Sequence, residues 1–117
     1  MYFAYFKNND HRDQFLALKQ KAGQGKDCEY DSALYVLAAL EKHVEEYVSK
    51  GGGIKFPQLF EDAEVWSSSE RALLRLAGVL FGFGAGVSVT VEDVFWHLDE
   101  ENCRVALQAL EIRYLMR

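Results

Sequence analysis

Apolar residues recur along most of this chain at helical spacing. His11, Phe15, Leu18 and Ala22 follow one another at intervals of four, three and four, which lays one stripe along an α-helix. Asn9 or Asp10 is placed to cap that helix, Asp13 suits its opening turn, and Gly23 is placed to end it. After the polar connection Gln24–Asp27, a second helix is expected from near Glu29 to Ser49. Ala33, Leu37, Leu40, Val44 and Tyr47 would form its stripe, with Leu34, Val36 and Val48 beside it. Glu41, Lys42, Glu45, Glu46 and Lys50 would face water, with Glu46 and Lys50 paired one turn apart. Gly51-Gly52-Gly53 reads as its end, and residues 54–66 have no lasting period and read as a packed loop.

The central helix is expected from Ser67. Ser67-Ser68-Ser69-Glu70 has the form of a capping box and opens into a run whose Leu73, Leu74, Leu76, Val79, Leu80 and Phe81 cover more than half of the circumference. So wide an apolar surface calls for enclosure, and the alternating Gly82, Gly84 and Gly86 would end the helix. Val87-Ser88-Val89 alternates like a short strand, and Thr90-x-x-Asp93 is a second capping signature before Val91, Val94, Phe95 and Leu98. Asp99 is placed to cap a last helix, with Glu100 and Glu101 at its positive end and Cys103, Ala106, Leu107, Leu110 and Tyr114 as its core face. The expected fold is all-α: one domain over residues 1–117, about five helices, and at most a short extended piece at Val87–Val89 or near Ile54.

Composition narrows the class. Half of the 117 residues are hydrophobic and 14% are aromatic, ample for one core and unlike a disordered chain. The aromatic opening Tyr2–Phe6 should dock on the helices, since rings left in water forfeit their burial. No apolar run approaches the roughly 18 residues that span a bilayer, and Met1–Phe6 has neither a cationic leader nor a cleavage site, so a cytosolic protein is expected. Cys28 and Cys103 stand apart and read as free thiols.

Charge is unevenly placed. The net charge is −5, yet residues 1–60 balance eight bases against eight acids, whereas residues 61–101 hold nine acids against Arg71 and Arg75 alone. An acidic middle repels a phosphate backbone and attracts a basic partner, which argues against direct nucleic-acid binding. Some of these acids also suit helix N-termini, where the macrodipole favours them. Glu61, Asp62, Glu64, Trp66, Glu100 and Glu101 are therefore the candidate partner-binding residues, an aromatic anchor among charges.

Other chemistry is thinly marked. Gly82-Phe83-Gly84-Ala85-Gly86 has the spacing of a nucleotide-binding loop, but such loops follow a strand and open a helix, whereas this one closes a helix. His97, Asp99 and Glu100 or Glu101 could ligate a metal, yet no H-E-x-x-H or Cys/His pairing completes a site. His11 and His43 lie far apart, and no Ser or Cys sits in a nucleophile motif. No catalytic residue, metal or cofactor is assigned.

Phe6-Lys7, His11 with Phe15, Ala33-Leu34-Tyr35, Ser67-Ser68-Ser69 with Ala72-Leu73, and Leu98-Asp99-Glu100-Glu101-Asn102 with Ala106-Leu107 together resemble a small family of Firmicutes phage and prophage proteins of unknown function. The resemblance implies a shared fold and a mobile-element setting in a bacterial cytosol. Small accessory proteins of that setting often act by binding, including inhibitors of host defence of the anti-CRISPR kind. The expected function is accordingly a non-catalytic protein that occupies a host protein with a basic surface; homo-oligomer formation stays open. The alternative is a small-ligand or nucleotide binder, or an enzyme, with a pocket near Gly82–Gly86 and His97.

Overall fold

A computed structural model of the chain describes residues 5–82 and 88–116. The architecture is all-α, with six α-helices and one two-stranded sheet among the described residues. Helix α1 (Asn9–Ala22) buries His11, Phe15, Leu18 and Ala22 as the spacing requires, and Gly23 ends it at φ 66°. Its cap is Asn8, one residue before the expected position: the Asn8 side-chain oxygen accepts from the His11 N–H at 2.8 Å. Helix α2 (Cys28–Ala39) is capped by Asp27, which accepts from the Glu29 and Tyr30 amides.

Helix α2, and not the helix that starts at Ser67, is the enclosed one. Every residue from Asp31 to Ala39 is buried, and α1, α4 (Ser68–Phe81) and α6 (Glu100–Tyr114) all pack against it. It tolerates enclosure because its polar groups are paired: the Asp31 carboxylate meets the Lys19 ammonium, and the Ser32 hydroxyl donates to the Glu29 carbonyl at 3.2 Å. Helix α4 keeps Arg71 and Arg75 exposed on one edge, as two guanidinium groups demand.

The second helix is shorter than its stripe suggests. It stops at Ala39, Glu41 follows with φ 58°, and residues 45–47 form a 3-10 turn that leads into a hairpin of β1 (Val48–Ser49) and β2 (Gly53–Ile54), paired antiparallel with Val48 opposite Ile54. Val44, Tyr47 and Val48 still reach the core, now through the turn and hairpin. Glu46 and Lys50 therefore lie outside any α-helix and form no ion pair among the described residues. Residues 54–66 are not a loop: α3 (Phe56–Asp62) has Pro57 in its first turn, where no N–H is needed, and a 3-10 turn over Ala63–Val65 follows. Phe56 and Leu59 are buried, and a Cβ on Gly78 would lie 3.2 Å from the Phe60 ring, so α3 approaches α4 closely where α4 lacks a side chain.

Ser67 caps α4 through a full capping box, its Oγ accepting from the Glu70 N–H at 3.3 Å and its own N–H donating to Glu70 Oε1 at 3.0 Å. Gly82 ends the helix at φ 80°; the expected roles of Gly84, Gly86 and Val87 lie outside the described residues. Ser88 and Val89 are not in a strand, so the extended piece is the one near Ile54. Thr90 and Asp93 cap α5 (Val91–Phe95), which buries Val94 but leaves Val91 exposed. Asp99 caps α6 by accepting from the Asn102 N–H at 2.8 Å. The buried face of α6 is Val105, Ala106, Gln108, Ala109 and Ile112, so of the expected core stripe only Ala106 is fully buried and Leu107 is 53% exposed. No helix among the described residues is long and apolar enough to cross a membrane.

Candidate functional site

Carboxylates gather where the charge-balanced half of the chain folds on itself. Asp10, Asp13 and Gln14 from α1 face Ala38, Glu41, Lys42, His43 and Glu45 from the end of α2 and the turn after it, around an open concavity of about 490 Å³. The first turns of α1 supply one wall. The other depends on the left-handed backbone at Glu41, the single positive φ outside glycine among the described residues. That conformation is uncommon for a side chain other than Asn, Asp or Gly and costs about 1–2 kcal/mol. Asn8 Nδ2 donates to Glu41 Oε1 at 3.1 Å, and the Lys7 ammonium stands 3.9 Å from the same oxygen.

The remaining charges do not neutralise this lining. Gln14 Nε2 donates to Glu45 Oε1 at 2.7 Å, a bond that holds the Glu45 carboxyl below its ordinary pKa and so keeps it ionised. Among the described residues Asp13 has only the exposed Arg12 at 3.5 Å, and Asp10 has no ion pair. Lys42 lines the rim with its ammonium 3.2 Å from Glu70 Oε2 and 5.5 Å from the Trp66 ring centroid, and the Lys21 ammonium donates to the Glu45 carbonyl. The lining carries four carboxylates, of which those of Glu41 and Glu45 already have one oxygen engaged, and is suited to an ammonium or guanidinium group.

The residues singled out from the acidic middle are dispersed by comparison. The Tyr47 hydroxyl donates a hydrogen bond to the Asp62 carboxylate, which pushes the tyrosine up to about 12, so this carboxylate is a structural acceptor. Glu100 pairs with Arg104 at 3.4 Å, while Asp93, Asp99 and Glu70 serve as caps or cap partners. Glu61, Glu64 and Glu101 are exposed and have no ion pair among the described residues, and Trp66 lies under Lys42. No hydrogen bond, ion pair or ring contact among the described residues joins the Glu61–Trp66 group to Glu100 and Glu101.

His97 does line a concavity, a smaller one of about 160 Å³ between α4 and α5, with Ser68, Arg71, Ala72, Arg75 and Asp93. The only two bases of the acidic middle thus face the same hollow. Gly82 is not part of it: a Cβ there would lie 3.0 Å from a carboxylate oxygen of Glu29, the opposite of a phosphate-binding environment. The other glycines of that loop lie outside the described residues. His97, Asp99, Glu100 and Glu101 are not gathered around a common centre, and no cluster of three His, Cys, Asp or Glu suited to a metal occurs among the described residues. Cys28 and Cys103 are free thiols.

Sequence reasoning missed Asp10, Asp13, Glu41 and Glu45 because they lie in residues 1–60, where eight bases balance eight acids along the chain. The one local signal is the acidic pair Asp10 and Asp13 at the start of α1, which helix capping accounts for equally well. Comparisons with protein-family models, with curated proteins and with solved structures find no match.

Proposed function

We propose that this is a non-catalytic binding protein whose concavity between α1 and the end of α2 receives a basic side chain of a partner protein. The observation that carries this reading is Glu41, an ordinary residue in left-handed backbone at the wall of a four-carboxylate hollow. Strain of this kind persists where the surroundings impose it and concentrates at sites that bind. Glu61, Glu64 and Glu101 add a long-range negative field that steers a basic surface toward the protein. The phage setting implied by the sequence resemblance gives the reading its concrete form: occupation of a host defence protein in the bacterial cytosol.

A lysine-rich peptide is the direct probe. Titrated into the protein, it should shift the amide resonances of Asp10, Asp13, Glu41 and Glu45 first, and more weakly as salt rises. Asp10→Lys combined with Glu45→Lys should abolish those shifts and also slow association with a basic partner recovered from host lysate. Equal binding by the double reversal would sink the reading.

The hollow at Arg71, Arg75 and His97 favours a second reading, a small anionic ligand. Titration with inorganic phosphate that shifts the His97 ring resonances, and fails to do so in Arg71→Gln with Arg75→Gln, would support it. Unmoved His97 resonances at about 10 mM phosphate, roughly tenfold above a 1 mM dissociation constant, would remove it.

A further inference from the structure

Helix α6 carries a second apolar stripe opposite its fully buried face, with Leu110 still touching the core. With Val105, Ala106, Ala109 and Ile112 turned inward, Cys103, Leu107, Leu110 and Tyr114 follow at i, i+4, i+7 and i+11 along the other side. Leu107 is 53% and Tyr114 49% exposed, and Cys103 and Leu110 are half-buried beside them. Alternating steps of four and three are the seam of a helix that packs against another helix, and among the described residues Leu107 and Tyr114 of this stripe stay about half exposed. One edge of the seam is charged: Arg104 and Glu111 stand seven residues apart on the same flank, each directly after a seam residue, Cys103 and Leu110.

We infer that α6 is the contact helix of a two-fold symmetric dimer, in which it lies antiparallel to α6 of a second copy. The dyad then falls between Leu107 and Leu110. Leu107 of one copy packs on Leu110 of the other, and Cys103 packs on Tyr114, so each layer is satisfied by the same four residues read in reverse. In antiparallel pairing equivalent flanks face each other, and the same dyad sets Arg104 across from Glu111 of the second copy, twice over. The charges are therefore self-complementary in this orientation. Among the described residues Arg104 pairs only with the exposed Glu100, at 3.4 Å, and Glu111 has no ion pair. Helix α6 has 15 residues and spans about 22 Å at 1.5 Å per residue, so the contact is at the small end of interfaces and the dimer is a weak, concentration-dependent one.

Sedimentation equilibrium up to about 1 mM, the range of weak affinities, tests this. The wild type should pass from monomer to dimer, and Leu107→Glu should remain monomeric with an unchanged circular dichroism melt. Arg104→Glu alone and Glu111→Arg alone each set like charges across the dyad and should weaken self-association about tenfold or more. An equimolar mixture of those two variants pairs every Glu with an Arg and should restore dimer formation to near the wild-type level. The inference is overturned by a wild type that stays monomeric, by Leu107→Glu that dimerises normally, or by a mixture no better associated than its components.

Discussion

The Nε2 of His11 lies 2.8 Å from the carbonyl oxygen of Tyr35, and the opposite ring nitrogen, Nδ1, accepts the Lys7 N–H at 3.2 Å. One nitrogen accepting leaves the other to donate, so the buried imidazole is neutral and the tautomer is fixed by its partners. Phe6 and Tyr35 close over it, and the Tyr35 hydroxyl in turn donates to the Tyr5 carbonyl at 2.7 Å, with the Tyr5 N–H donating to Gln108 Oε1 at 2.9 Å. Through these bonds the segment at Tyr5–Phe6 is tied to α1, α2 and α6.

Protonating His11 breaks this arrangement. Burial first, with the Lys7 ammonium adding to it and the Tyr35 carbonyl and Glu41 opposing, lowers the imidazole to about 4 from its ordinary 6.5. The unfolded chain therefore binds the proton first as pH falls. The resulting stability is fully present above about pH 6.5 and is lost progressively down to about pH 4, amounting to about 3 kcal/mol. Urea denaturation at several pH values should show this slope in the wild type and a shallower one in His11→Gln.

The face of α6 is open to direct measurement. Ile112→Ala should cost about 2–5 kcal/mol, because it empties a core position, whereas Leu107→Ala should cost less than about 0.5 kcal/mol in dilute solution. Thermal melts of the two variants that rank them in the reverse order would put the helix in the wrong phase.

Ser67 carries more of the start of α4 than Ser69 does. Ser67→Ala removes the acceptor for the Glu70 N–H and should lower stability by about 0.5–2 kcal/mol. Ser69→Ala loses only a 3.2 Å contact with the Ser67 hydroxyl and should cost less. Chemical denaturation of the two variants gives the ranking.

Relaxing Glu41 should separate stability from binding. Glu41→Gly frees the left-handed backbone of its Cβ and should raise stability by up to about 1 kcal/mol, set against the loss of the exposed contacts to Asn8 and Lys7. The same change removes a carboxylate from the hollow and should weaken binding of a lysine-rich peptide. Unfolding midpoints and peptide titration on the same variant check both halves.

What the sequence determined by itself was local. The capping boxes at Ser67–Glu70 and Thr90–Asp93, the cap at Asp99, the stripe of α1 and the stops at Gly23 and Gly82 involve groups within about one helical turn of each other, so neighbouring residues decide them. The end of α2 is different in kind. Val44 and Tyr47 continue its helical spacing and also fit a turn and hairpin; only the edge of the core, reached at Leu40, makes the second arrangement bury them. Helix α6 holds two apolar stripes, and periodicity cannot say which one faces inward until α2 and α4 are in place beside it. The carboxylate hollow needed the fold outright, because Asp10 and Asp13 meet Glu41 and Glu45 only when α1 packs on α2, and charge counted along a chain does not register charge gathered across it.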